Sequence, residues 1–378
     1  SVKDWSCSSG CPAGTITVDG DLPAAGSDSL SITGIDGTVD TPVYSPTSAS
    51  GGTFTVAGVV TTIVDTEHLA YNGEADNETL TVNGTALSDL FIHTPAPTLA
   101  GDDGRVLVNS LLAIDYVALG ATGSIALDGD GALAVGAGAT ADTLIALATD
   151  VSDTITVAGT SSITINNRIA LTTTQIENFI LEGLDGDDRF NITPIIDATV
   201  DDGTGTVDIT VAGDGPGASD TLNFTRNVLD VAPNDIVVEL DDDTTIVDVI
   251  QTIQQVGLGS VTLSGIETAN INAVTEDLFV AGTRLDDVIT YTPSNTDSGT
   301  FTAAGISTVF NFDNVPQATN TFTITGGGGA GSVLGAGGFA DKVIVQGTNG
   351  SDRIRVNSLT RIVAVDIQGF GFPPAVLA

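Results

Sequence analysis

Short segments in which threonine or serine alternates with an apolar residue recur along the chain. This period of two places polar side chains on one face of a β-strand and apolar side chains on the other. The clearest examples begin at Thr15, Ser29, Thr79, Thr154, Ser162 and Thr321. Glycine, aspartate, asparagine and proline separate these segments, as is typical of turns. The pattern therefore predicts strands through most of the chain.

One segment departs from this alternation. In residues 243–256 the apolar side chains fall near the 3.6-residue spacing of a helix, after an Asp-Thr-Thr start that suits a helix N-terminus. The same residues are equally compatible with two strands. The sequence leaves both interpretations open.

A glycine turn that is followed by an aspartate and then a strand is repeated in degenerate form. The clearest copies are residues 183–190 and 347–354, and looser copies are residues 215–222 and 282–289. Such repetition is typical of stacked β architectures, in which each repeat buries its apolar face against the next one. We therefore predict an all-β protein that forms a parallel β-helix or β-solenoid with irregular loops. Tandem antiparallel β-sandwich domains are the alternative.

The composition suggests a short N-terminal segment and two repeat regions. Residues 1–14 form the N-terminal segment, residues 15–200 a first β-repeat region, and residues 201–378 a second region that is continuous with the first. The N-terminal segment contains Cys7 and Cys11, the only two cysteines. A zinc site would need two more ligands nearby, so a small disulfide loop in an oxidising compartment fits this pair better.

The chain is strongly acidic, with 48 acidic and 10 basic residues and a formal net charge of −38. This charge repels nucleic acid and anionic membrane surfaces, and no apolar run reaches the roughly 18 residues that span a bilayer. We therefore expect neither nucleic-acid binding nor membrane insertion. Two interpretations of the charge stay open: oxygen-rich turns that hold a hard cation such as calcium, or a solvated acidic surface suited to high salt.

The aspartates of the repeat turns are the candidate calcium ligands. Calcium takes six to eight oxygens, and glycine turns allow backbone carbonyls and short carboxylates to converge. The candidates are Asp185, Asp187, Asp188, Asp286, Asp287 and Asp352. The alternative is that each aspartate accepts a hydrogen bond from its own backbone in an Asx-turn.

Two of these turns resemble the nonapeptide repeats of RTX-type secreted proteins, Gly-Gly-x-Gly-x-Asp-x-apolar-x. The matching residues are Gly183, Gly186, Asp188 and Phe190 in one turn, with Leu184 at the second glycine, and Gly347, Gly350, Asp352 and Ile354 in the other, with Thr348 there. More broadly, the chain is similar to repeat-rich surface proteins secreted by bacteria. The resemblance implies calcium at the turns. Because the repeats are scattered here, it implies isolated calcium turns and not a continuous ladder.

Catalytic chemistry finds little support in the sequence. The two histidines, His68 and His93, lie in strand-like segments without a nucleophile motif. Acidic pairs occur at many turns, but the chain offers little of the basic groove or the aromatic platforms that a polysaccharide enzyme needs. We therefore expect no enzymatic activity.

Together these features predict an extracellular or cell-surface structural protein. It would self-assemble as a homopolymer into a surface layer, sheath or fibre stabilised by calcium, with glycans or cell-surface polysaccharide as further partners. A calcium-dependent adhesin or glycan-binding stalk is the alternative, and a polysaccharide-active enzyme on a β-helix comes third. The apolar tail, residues 370–378, is expected to dock on a neighbouring subunit by strand addition.

Overall fold

The computed structural model describes most of the chain. The described residues are 14–21, 27–97, 101–131, 141–196, 206–214, 219–230, 234–241, 250–283, 287–315, 322–325 and 342–347, and the backbone alone of 3–5, 352–357, 362–367, 370–371 and 375–377. Strands and turns account for these residues, and no helix occurs among them. Consequently, this part of the chain contains no helix that is long and apolar enough to cross a membrane.

The chain divides into two compact units, Ser1–Leu184 with Ile196–Val207 and Asp185–Ile195 with Asp208–Ala378. The strands of the first unit are β1 (Lys3–Trp5), β2 (Gly14–Asp19), β3 (Ser29–Thr33), β4 (Val43–Ser48), β5 (Gly51–Val56), β6 (Val59–Val64), β7 (His68–Asn72), β8 (Thr79–Asn83), β9 (Leu90–Pro95), β10 (Gly104–Val108), β11 (Ile114–Val117), β12 (Ser124–Asp128), β13 (Thr143–Leu147), β14 (Thr154–Ala158), β15 (Ser162–Ile165), β16 (Ala170–Thr174) and β17 (Asn178–Glu182).

The strands of the second unit follow the same alternating pattern. They are β18 (Arg189–Thr193), β19 (Asp208–Ala212), β20 (Thr221–Thr225), β21 (Ile236–Glu239), β22 (Gln251–Gln255), β23 (Ser260–Ser264), β24 (Thr268–Asn272), β25 (Leu278–Ala281), β26 (Val288–Asn295), β27 (Ser298–Ala303), β28 (Val309–Asp313), β29 (Phe322–Thr325), β30 (Lys342–Val345), β31 (Asp352–Asn357), β32 (Ile362–Ile367), β33 (Phe370–Gly371) and β34 (Ala375–Leu377).

In the first unit the chain crosses back and forth between two sheets. Sheet A has the order β1, β3, β7, β11, β10, β9, β13, β17, and sheet B has the order β2, β6, β5, β4, β8, β12, β16, β15, β14. Neighbours from successive coils pair in parallel. This is the stacking of a β-solenoid, in which parallel strands need a crossover between them.

Three-stranded antiparallel meanders interrupt the coils of the first unit. They are β4–β5–β6, β9–β10–β11 and β14–β15–β16. In the first two meanders the last strand pairs with the coil before it and the first strand with the coil after it. For example, β11 is parallel to β7, whereas β9 is parallel to β13. A meander therefore adds two strands to a sheet without breaking the parallel stack.

The core lies between the strands' inward faces. Strand β9 shows the rule, because Phe91 and His93 are buried while Ile92 between them is partly exposed. In the first unit Tyr71 packs on Phe54 with ring centroids 5.2 Å apart. Each fully buried aromatic or branched side chain contributes about 1.5–3 kcal/mol, so these repeated inward positions dominate the stability of the stack.

The second unit repeats this scheme. One sheet has the order β18, β20, β24, β28, β27, β26, β30, and the other contains β19, β23, β22, β21, β25, β29, β34 and β32, with β31 and β33 on β32. Its core contains Phe301 stacked on Phe310, with ring centroids 4.8 Å apart. Burial of such rings closes the space between the two sheets.

These observations confirm the predicted all-β solenoid. In the segment 243–256, residues 251–255 form strand β22 and not a helix, while residues 242–249 lie outside the described part. The Cys7–Cys11 loop also lies outside it. The expectation that the tail docks on a neighbouring subunit is wrong, because β34 pairs with β29 on one side and with β32 on the other. Both of its hydrogen-bonding edges are already used within the chain.

Candidate functional site

The turns between coils close on an acidic side chain that bonds back to the start of the same turn. In the turn from Gly84 to Asp89, the Asp89 carboxylate accepts hydrogen bonds from the Thr85 N–H at 2.5 Å and from the Thr85 hydroxyl at 3.0 Å. Thr149 and Asp153 repeat this contact at 2.7 Å. The carboxylate thus accepts a hydrogen bond from a backbone N–H that would otherwise lack a partner within the turn.

The same carboxylates also accept from the adjacent coil, and this forms a column. The Asp89 N–H donates to Oδ1 of Asp142 at 2.6 Å, and the Asp142 N–H donates to Oε2 of Glu177 at 2.6 Å. The three residues directly precede β9, β13 and β17, which are neighbours in sheet A. They are 3%, 1% and 4% exposed. We call Asp89, Asp142 and Glu177 the first carboxylate column.

A second column has the same design in the second unit. The Asp188 N–H donates to Oδ1 of Asp220 at 2.7 Å, and the Asp220 N–H donates to Oε2 of Glu267 at 2.9 Å. These residues precede β18, β20 and β24, which are parallel neighbours. Glu177 and Glu267 both follow an isoleucine in a three-residue turn. A glutamate in a short turn therefore ends each column.

Glycine makes room for the carboxylate at the start of the turn. A Cβ atom on Gly84 would lie 2.6 Å from Oδ2 of Asp89 and closer still to the carbonyl oxygen of Gly129. A Cβ atom on Gly129 would likewise lie against Oδ2 of Asp142, and one on Gly213 would lie against Oδ2 of Asp220. These contacts give a physical reason for glycine at these three positions, since a Cβ atom there would lie against both the carboxylate and a backbone carbonyl oxygen.

Burial shapes the protonation of the columns. It raises the pKa of Asp142 to about 7, against the hydrogen bond from the Asp89 N–H, and the neighbouring carboxyls of Glu177 and Asp89 raise it further. Burial also raises the pKa of Asp220. Oδ2 of Asp142 has no hydrogen-bond partner among the described residues. A carboxyl held in this way favours its neutral form, because a buried charge is costly to desolvate.

The buried Glu78 and the half-buried Asp128 of the first unit show the same effect. Burial raises the pKa of Glu78 to about 7, although its Oε2 accepts a hydrogen bond from the Tyr71 hydroxyl at 2.6 Å. Burial and the carboxyl of Asp130 raise the pKa of Asp128 to about 6. Acidic residues are thus used inside the turns as well as on their surface.

The structure brings together part of the predicted metal set. Asp185, Asp187 and Asp188 share one turn, in which the first two are exposed and Asp188 is buried in the second column. The Asp287 carboxylate accepts hydrogen bonds from the N–H and the hydroxyl of Thr283, four residues before it, at 2.8 and 2.9 Å. Asp286 and the side chain of Asp352 lie outside the described residues. No group of three or more acidic, histidine or cysteine side chains is placed to hold a metal ion in the described part of the chain.

Sequence reasoning missed most members of the columns. Asp89, Asp142, Glu177 and Glu267 were not among the predicted ligands, although the repeated Ile-Glu dipeptide and the aspartate just before a strand marked their positions. The missing information was long-range. Asp89 and Asp142 are 53 residues apart, and only the stacking of β9 on β13 joins them.

An asparagine ladder runs along the outer face of the second unit. The side-chain amide of Asn223 donates to Asn191 at 2.8 Å, that of Asn270 to Asn223 at 2.9 Å, and that of Asn311 to Asn270 at 2.9 Å. The residues occupy equivalent positions on β18, β20, β24 and β28. Such ladders hold successive strands in register, as in stacked cross-β structures.

The two histidines occupy different environments. His93 is buried, with its Nε2 atom 2.8 Å from the Tyr116 hydroxyl, and burial lowers its pKa to about 4. It is therefore neutral at pH 7 and serves as a core residue in this arrangement. His68 lies exposed at the start of β7.

In comparisons with known proteins, no family model, curated protein or solved structure matches the chain.

Proposed function

We propose that the chain is an extracellular structural subunit that self-assembles into a surface layer, sheath or fibre. The observation that carries this proposal is that polar side chains are used to link one coil to the next. Asp142 in the first column, Asp220 in the second and Asn270 in the ladder each bond to both neighbouring coils. Cohesion along the stack is the role that this pattern of contacts supports best.

Stacked repeats are suited to continuation by another copy. Each coil contacts its neighbours only, so stability is approximately a sum of coil terms and interface terms. A repeating interface between identical chains extends into a filament or sheet when it does not close on itself. The extracellular location rests on the Cys-Ser-Ser-Gly-Cys spacing of Cys7 and Cys11, which favours a disulfide.

Calcium at acidic turns remains part of the proposal. The exposed carboxylates of Asp185 and Asp187 lie on one turn, and each could provide an oxygen ligand to a calcium ion. A calcium ion bound there would take the rest of its six to eight ligands from main-chain carbonyls and water. The side chains therefore fit a shallow surface site better than an enclosed one. Its binding would lower the repulsion within a chain of net charge −38.

Electron microscopy of the purified protein tests the proposal. The protein is examined in millimolar calcium and then in excess chelator at matched ionic strength. We expect ordered fibres or sheets that dissolve on chelation. Polymers that persist in chelator would keep the structural role and overturn the calcium part. Monodisperse particles in both conditions would overturn self-assembly and favour the adhesin that the sequence offers as its alternative.

A further inference from the structure

The outer face of sheet B in the first unit carries a hydroxyl side chain on every strand. Its strands are β2, β6, β5, β4, β8, β12, β16, β15 and β14. Representative outward residues are Thr17, Thr53, Thr81, Ser124, Thr172 and Thr156, all of them partly or fully exposed. We call the outward positions of these strands the hydroxyl face. Valine and alanine fill most of its other positions.

Charge is nearly excluded from the hydroxyl face. Among the outward strand positions described there, Asp19 and Asp128 are the charged ones, and each lies at the C-terminal end of its strand. The outer face of sheet A differs, because it carries the ion pair of Arg105 with Asp115, whose Nε and Oδ1 atoms are 3.0 Å apart, and also Glu182. In a chain of net charge −38, a face of this extent with so few charged positions requires an explanation.

Strand register arranges the face in straight rows. Thr81 lies directly between Val43 on β4 and Ala126 on β12, and Ala126 is followed by Thr172 on β16. In the next row the hydroxyls of Thr79 and Ser124 are 2.9 Å apart. Rows of small side chains, repeated at about 4.8 Å, present a shallow corrugated surface that can interdigitate with a second surface of the same kind.

The size of the face suits a stable protein contact. Nine strands spaced about 4.8 Å apart, each about five residues long, cover about 40 by 16 Å, or about 650 Å². Two such faces would bury about 1,300 Å² in total, which lies within the range of about 1,200–2,000 Å² for specific interfaces. Sheets that pack face to face do so about 10 Å apart, with strand directions within about 30° of each other.

We infer that the hydroxyl face is a lateral contact between copies of this chain, with two faces packed sheet on sheet. Copies of net charge −38 repel each other least where surfaces with few charges meet, and this face carries charge only at Asp19 and Asp128 among its described strand positions. Threonine methyl groups would fill the grooves between rows while hydroxyls hydrogen-bond across the interface. This inference rests on the proposed self-assembly and names the surface through which it occurs.

The test introduces charge on the face. In the double variant T81E/T172E two carboxylates flank Ala126 at its centre, and in T17E one carboxylate is placed on an exposed threonine of β2, at its edge. The matched control is S29E/S31E, which adds the same charge at exposed positions of β3 in sheet A. Circular dichroism verifies folding, and sedimentation with electron microscopy gives the protein concentration at which polymers form.

We expect wild type and S29E/S31E to assemble at similar concentrations, and T81E/T172E and T17E to need at least tenfold more protein. Folded face variants that assemble like the wild type would overturn the inference while leaving the proposed function intact. An equal loss of assembly in S29E/S31E would also overturn it, since the effect would then be one of total charge. A wild-type protein that never assembles would instead overturn the proposed function itself.

Discussion

The backbone N–H of Asp89 donates to the Oδ1 atom of Asp142 at 2.6 Å, across 53 residues of sequence. Both side chains are almost completely buried. Asp142 then repeats the contact by donating its own N–H to Glu177. Some of the acidic residues are therefore buried, and each of these carboxylates accepts a hydrogen bond from a backbone N–H of the neighbouring coil. This arrangement has measurable consequences for stability.

Replacing Asp142 separates its role as an acceptor from its charge. D142A leaves the buried Asp89 N–H without its partner, so we expect a loss of about 1–3 kcal/mol in the free energy of unfolding. D142N keeps an oxygen for that N–H and should lose much less. Urea denaturation followed by circular dichroism measures both. The exposed Asp36 provides the control, because D36A should change stability by less than about 0.5 kcal/mol. Equal losses in D142A and D36A would contradict a structural role of the column.

Stability should decrease as the pH rises from about 4 to 7. The pKa of Asp142 is raised to about 7 in the folded state, whereas its ordinary value is 3.8. In this window the folded protein binds more protons than the unfolded chain, and stability falls with increasing pH when that is so. Glu78, with a pKa raised to about 7, acts in the same direction. Thermal denaturation in chelator at pH 5 and pH 8 should give the higher midpoint at pH 5.

D142N provides the matched control for the pH dependence. The amide does not titrate, so the variant should show a flatter pH profile than wild type and approach or exceed it at pH 8. His93 opposes the trend, because burial lowers its pKa to about 4 and the stability it contributes is lost as pH falls from 6.5 toward 4. A midpoint that rises between pH 5 and pH 8 would show that the buried carboxyls do not dominate.

Gly84, which opens the turn that ends at Asp89, should not tolerate a side chain. In G84A the new methyl group would lie 2.6 Å from Oδ2 of Asp89 and closer still to the carbonyl oxygen of Gly129, so the turn must shift, and we expect a loss of about 1–3 kcal/mol. Ala148 already occupies the equivalent position in the turn that ends at Asp153. The reverse change A148G should therefore cost no more than about 1 kcal/mol, which is the usual backbone effect of glycine. If both variants lose the same stability in urea denaturation, steric contact of the added methyl group is not the cause.

The asparagine ladder should depend on its middle members. N270A removes the hydrogen bonds to both Asn223 and Asn311, each 2.9 Å long, and we expect a loss of about 1–2 kcal/mol. Thr225 lies on a neighbouring strand, also faces outward, and makes no such ladder contact, so T225A should lose less. Hydrogen exchange of the amides in β20 and β24 measures whether the strands loosen. If the exchange rates of these amides are the same in N270A as in the wild type, the ladder does not stabilise the stacking of these strands.

The fold could be predicted from the sequence because its signal is local. Alternation in segments such as Thr79–Asn83 fixes which side chains face inward, and glycine with aspartate marks the turns. The meanders and the columns could not be predicted, because they depend on which coils become neighbours. Asp188 was singled out as a calcium ligand because its turn resembles a known repeat, whereas Glu177 lies in a turn without glycine and is marked by the Ile-Glu dipeptide that it shares with Glu267.

The meander β9–β10–β11 also constrains the order in which the chain can acquire its structure. Strand β7 finds its next parallel partner in β11 and not in β9, although β9 is synthesised first. One edge of β7 therefore stays unpaired until the chain has been synthesised as far as Val117, and one edge of β9 stays unpaired until β13 has been synthesised. Growth of the solenoid from its N-terminal side must proceed in steps of a whole meander. Each pairing between coils requires a loop to close before its hydrogen bonds and side-chain contacts can form. We therefore expect the chain to fold slowly.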